Sequence, residues 1–111
     1  MNNRALKYIL DIESIITEIE SLKERVGNNF NLFQNDIIIK RAAERDLEII
    51  GEAVNKLTQL NPTIKISSVS KIVSLRNLII HSYDSIESEI IWGILQKDIP
   101  LLKHEISLLK Q

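Results

Sequence analysis

Cysteine is absent from this chain of 111 residues, histidine, tyrosine and phenylalanine occur twice each, and tryptophan occurs once. Without cysteine there is no disulfide and no thiol chemistry, and the commonest structural zinc ligand is missing. Two histidines do not make a rich metal site, so no metal centre is expected. A charge surplus is lacking too: 14 Lys and Arg against 15 Asp and Glu leave a formal net charge of −1. Any handling of nucleic acid must therefore come from a local arrangement and not from an overall basic field. No apolar run approaches the roughly 18 residues that would span a membrane. Charges are spaced through the opening "MNNRALKYILDIESIITEIE", unlike a secretory signal, and a cytoplasmic protein with no membrane attachment is the expectation. What is present, 44% hydrophobic and 26% charged residues, belongs to a globular chain of one domain over residues 1–111. A domain of that size buries a modest share of its surface, so a cleft for a large substrate would draw on a second copy.

The apolar residues recur with a helical period almost everywhere. Leu6, Ile9, Leu10, Ile16, Ile19, Leu22 and Val26 follow mostly three- and four-residue steps, between an Asn3 suited to an N-cap and a Gly27 suited to closing a helix. "GNNFNLFQND" reads as a loop, after which Asn35 or Asp36 can cap a second helix striped by Ile39, Ala43, Leu47, Ile50, Val54 and Leu57, ended by Asn61–Pro62. Ser67 or Ser68 can cap a shorter third helix through "VSKIVSLRNLIIH", where Val and Ile also permit a strand. Asp84 and Glu87 have capping-box spacing, and Ile91, Ile94, Leu95, Leu102, Ile106 and Leu109 carry a last helix that Pro100 should kink or split. The expected fold is all-α, an antiparallel bundle of four to five helices.

The scarce reactive side chains converge on "SLRNLIIHSYDS", residues 74–85. On a helix Arg76 and His81 lie about 140° apart around the axis and roughly 7.5 Å along it, so they do not share a face, whereas Asn77 and His81 do. A two-fold axis near the end of this helix would gather two copies of Arg76 and His81 around one cleft. Imidazole, with an ordinary pKa near 6.5, can take a proton from a ribose 2′-hydroxyl, and a guanidinium can hold a phosphate and stabilise charge developing on it. Residue spacing alone equally allows a His and an Arg that merely complement a helix C-terminus.

"LRNLIIHSY" resembles the signature of HEPN-domain proteins, in the Arg, polar, His and Tyr form of HepT-like toxins. "RAAERDLEIIGEAVNKL" at 41–57 is similar to that family's long second helix with its Gly-Glu-Ala element, and "IWGILQKDIPLLKHEI" at 91–106 to its Trp-bearing last helix. Ser82 departs from many relatives, which carry Asp there. The resemblance implies a HEPN-like bundle acting as a two-fold homodimer. It implies a metal-independent endoribonuclease toxin needing no cofactor of its own, with RNA as substrate and a minimal nucleotidyltransferase as antitoxin partner. Arg76 and His81 would be catalytic, Asn77 their polar companion, and Tyr83 the hydroxyl to which the antitoxin, using ATP, adds AMP. The alternative is a non-catalytic partner or binding subunit of a nucleotidyltransferase, and a plain structural dimer is a third reading.

Elsewhere bland roles are expected. His104 reads as an ordinary surface residue, and Glu44, Glu48 and Glu52 as an ion-paired or solvated face with Arg41 and Arg45 at hand. Gly51 would ease a close helix crossing, and Trp92 would sit in the core or at an interface.

Overall fold

A computed structural model describes residues 3–67, 70–72, 74 and 88–110 of the chain. Those residues form helices joined by turns, with no strand among them, and the fold is an all-α bundle, the class expected from the sequence.

Helix α1 runs over Asn3–Arg25 and buries Ala5, Ile9, Ile12, Ile16 and Ile19, a stripe at steps of four and three residues. Three residues expected on that stripe are not part of it: Leu6 is 41% and Leu10 47% exposed, and Leu22 is half-buried beside it. The stripe starts at small Ala5, and the next residue along, turned about 100° around the axis, points away from it. Asn3, expected as the cap, is the first helical residue. At the other end Gly27 takes φ +59°, which only glycine adopts without strain. Its N–H donates to Glu24 O at 2.9 Å and that of Asn28 to Lys23 O at 2.8 Å, the paired bonds of a Schellman closure.

The stretch expected to be a loop contains a helix, α2, over Phe30–Gln34. Asn29 caps it, its side chain accepting from the Leu32 N–H at 3.0 Å. Phe33 is buried and lies 4.9 Å, ring centre to ring centre, from Trp92, with Phe30 at 6.1 Å from the same indole. Aromatic pairing at i and i+3 holds down a helix too short to be stable alone. Trp92 is thus a half-buried core neighbour, as one of the two expectations had it.

Helix α3, Ile37–Leu60, follows the expected boundaries. Asp36 is the cap, accepting from the N–H groups of Ile38 and Ile39 at 3.1 Å, while Asn35 closes α2 instead. All six residues of its stripe are buried, and so is Gly51. The helix stops at Asn61, whose side chain accepts from the Thr63 hydroxyl at 2.6 Å.

The C-terminal run is helical from end to end but not uniformly α: α4 spans Ser88–Gly93, a π turn spans Ile94–Asp98, and α5 spans Ile99–Leu109. The Ile99 N–H donates to Ile94 O across five residues. The break expected from Pro100 therefore takes the form of a widened turn just before it, which makes room for a residue that brings no N–H and crowds the preceding turn.

Helices α1 and α3 pack antiparallel, Tyr8 lying near Leu60 and Arg25 near Ala42. The C-terminal run lies against α1 in the opposite sense, fastened by Glu20–Lys103 at 2.7 Å and Glu13–Lys110 at 3.1 Å. Such exposed pairs contribute at most about 1 kcal/mol each, so the buried isoleucines and leucines shared among the helices supply most of the stability.

Candidate active site and its supports

Arg76, Asn77, His81 and Tyr83, together with the Asp84–Glu87 capping box, lie outside the described residues. The structure does show how the chain is held on both sides of that segment. Ahead of it, residues 70–72 and 74 are helical, in keeping with the helix expected there, and Ile72 is 1% exposed. Ser67 donates its N–H and hydroxyl to the Glu105 carboxylate at 3.0 and 2.9 Å. Lys71 reaches Asp98 at 2.9 Å. After the segment, Ser88 and Ile91 are buried at the start of α4.

Asp98 is the more unusual member of that ion pair. It ends the π turn, its side chain only 12% exposed against 58% for Lys71. A π turn inside an α-helix is often kept where a side chain must be re-aimed. Here the widened turn places a buried carboxylate under the helical stretch that leads into Arg76. Spacing in the sequence did not flag Asp98, because a single acid before a proline carries no periodic signal.

The surface residues behave as expected. His104 is exposed. Arg45 pairs with Glu48 and Lys56 with Glu52, each at 3.0 Å. Among the described residues no group of three or more His, Asp or Glu side chains is placed to hold a metal ion, and no helix is long and apolar enough to cross a membrane.

A second buried acid escaped the sequence reading. Asp46 on α3 is 6% exposed, and its pKa is pushed up to about 6 by burial, with the Glu18 charge adding and the Arg45 guanidinium opposing. Its folded value lies above the ordinary 3.8, so the native state holds the proton more tightly and stability falls as pH rises through the window from about 4 to 6. Asp46→Asn is expected to leave stability nearly unchanged at pH 4 and to raise it by about 1–2 kcal/mol at pH 7.5, less than the full shift implies because water reaches the groove. Urea unfolding at the two pH values measures the difference, and an equal effect at both would contradict it.

The family model described as "Ribonuclease HepT-like" matches residues 15–109. The chain belongs to the HepT-like ribonuclease family. Among relatives, "Putative RNase TTE0752" of Caldanaerobacter subterraneus subsp. tengcongensis is 40% identical over 98 residues, covering 86% of this chain and 87% of its own. "Putative RNase MJ1380" of Methanocaldococcus jannaschii is 34% identical over 114 residues, covering 97% and 99%. "Probable ribonuclease HepT" of Thermococcus cleftensis is 31% identical over 108 residues, covering 94% of each chain. No solved structure gives a significant match. For this HepT-like chain the match takes in the second half of α1, helices α2 to α5 and the Arg76–Tyr83 segment together, since all of these fall within residues 15–109.

Proposed function

We propose that the chain is an endoribonuclease toxin of a HepT and nucleotidyltransferase pair, cutting RNA without a metal or other cofactor. The observation that carries this reading is the HepT-like family match across residues 15–109, a span that contains an Arg and a His at signature spacing. In this mechanism Arg76 binds the scissile phosphate and stabilises the charge that builds on its oxygens, while neutral His81 takes the proton from the adjacent 2′-hydroxyl. The 2′-oxygen attacks phosphorus and the 5′-oxygen leaves. Two chains meet near this segment, so that the His81 of the second copy, protonated, delivers a proton to the leaving oxygen. Asn77, one turn before His81, is the polar companion in the cleft. The protein acts in the cytoplasm as a homodimer within the single domain of residues 1–111.

Tyr83 is the off switch. AMP transferred from ATP to its phenol oxygen by the nucleotidyltransferase, with pyrophosphate leaving, places a phosphodiester charge and a nucleoside beside a cleft that must admit RNA phosphate. Incubation with the nucleotidyltransferase and ATP should add AMP mass to the wild type and abolish cleavage, while Tyr83→Phe gains no mass and stays active. Silencing of the Phe variant with no added mass would show that the partner acts by occlusion.

The second reading, a non-catalytic subunit of a nucleotidyltransferase, has the retained Arg76 and His81 against it, since a binding role does not call for both. It predicts no cleavage by the pure protein under any condition.

A further inference from the structure

The pairing of α1 with α3 leaves a groove along its outer side. Tyr8, Ile15 and Leu22 follow one another at steps of seven on α1, and Ala42 and Ile49 do so on α3, all of them half-buried. They are the shoulders of the core stripes and do not belong to the core itself. Apolar residues at seven-residue spacing are what one helix offers another for side-chain interlocking. From Tyr8 to Leu22 the rise is about 21 Å, enough to seat roughly two heptads of a partner helix.

One end of this groove has a floor that apolar contact would not satisfy. A recess of about 410 Å³ opens there, and among its walls are Glu18, Leu22, Ala42 and Asp46. Asp46 is more than nine-tenths buried and has no hydrogen bond from the described residues, and its carboxylate meets solvent only where it lines the recess. Of the charged groups facing it, Glu18 on α1 repels it, Arg45 on α3 attracts it while bonded to Glu48, and Arg25 lines the same recess. A mostly buried carboxylate with no donor from the protein, open only to the recess, favours a cation that can reach it there.

We propose that this groove docks an amphipathic helix of a protein other than this chain, one carrying apolar side chains in a seven-residue repeat and a lysine or arginine that reaches Asp46 and Glu18. A second copy of the chain fits poorly. A two-fold axis centred on Ile15 and Ile49 would set Glu18 and Asp46 of each copy opposite Asp11 and Glu52 of the other, whose lysine partners, Lys7 at 2.8 Å and Lys56 at 3.0 Å, are already committed to them. The proposal does not rest on the nuclease reading.

The probe is a synthetic helical peptide of three heptads with leucine at the two inward positions and one central arginine, compared with the same peptide carrying glutamate there. Fluorescence anisotropy with the full chain should show the arginine peptide binding at least tenfold more tightly. Asp46→Asn should reduce that preference below threefold, and the exposed-site variant Glu18→Gln should reduce it partially, so the test survives if either variant folds poorly. Ile49→Ser should weaken both peptides. Equal binding of the two peptides, no binding of either, or a preference unchanged in both variants would overturn the proposal. So would efficient disulfide cross-linking of two copies through Ile49→Cys in solution, which would assign the groove to a second copy.

Discussion

His81→Ala is expected to lower RNA cleavage by about 10² to 10⁴, the contribution that a positioned proton-transfer group makes, while the helical circular dichroism stays that of the wild type. The expectation follows from the proposed mechanism, in which removing the imidazole removes both the base of one copy and the acid of the other, while the Arg76 guanidinium stays to bind phosphate. Arg76→Lys should also be damaging, because an ammonium does not reproduce the planar fork that grips two phosphate oxygens. The two defects should separate in kinetics. The His81 variant should lose mainly turnover, whereas the Arg76 variant should lose substrate binding as well. Cleavage persisting in His81→Ala would move the site elsewhere. Dimers with one wild-type and one His81→Ala chain sharpen the reading, since a shared acid and base predict a rate well below half, and independent sites predict half.

The second large effect is on the fold. Leu47 is wholly buried on α3, and Leu47→Ala should cost about 2–5 kcal/mol through lost burial and the cavity left behind. Against a total of about 5–15 kcal/mol for a domain of this kind, the loss is severe. Leu10→Ala serves as the control. Leu10 is also a leucine in a long helix, but it is 47% exposed, and its truncation should stay within about 0.5 kcal/mol. Urea midpoints with unchanged slopes measure both. Equal losses at the two positions would mean that Leu10 is covered in solution.

The contrast between Leu47 and Leu10 shows where the sequence is transparent. Helix α3 has one apolar stripe, an acid at its start and Asn61–Pro62 at its end, so local signals agree and its boundaries and core face follow directly. Helix α1 has apolar residues on more than one face. Choosing Leu6 over Ala5 follows side-chain size, and Leu10 and Ile12 are isomers that size does not separate, while the packed structure follows the stripe that meets α3. Helix α2 escaped because five residues cannot display a period, and its stability comes from Trp92, about sixty positions away. Pro100 announced a disturbance without its form, since a kink, a split and a π turn all relieve the same clash.

The chemistry of the candidate site is legible in another way. Arg76, Asn77, His81 and Tyr83 stand out because they are rare side chains close together, and helix geometry states that Arg76 and His81 cannot meet on one face. The buried acids were not legible. Asp98 beneath Lys71 and Asp46 beside Glu18 are acids on helices, and an acid on a helix ordinarily signals solvent. Only the placement of a second helix across them makes them buried.

The most direct test of the central claim uses the pure wild-type protein in EDTA with two substrates of one sequence, an RNA and its fully 2′-deoxy counterpart. Attack by a 2′-oxygen under His81 and Arg76 predicts that the RNA is cut in chelator to fragments ending in a 2′,3′-cyclic phosphate, and that the deoxy strand stays intact. Equal cutting of both strands, or cutting of RNA only when a divalent metal is restored, would contradict it.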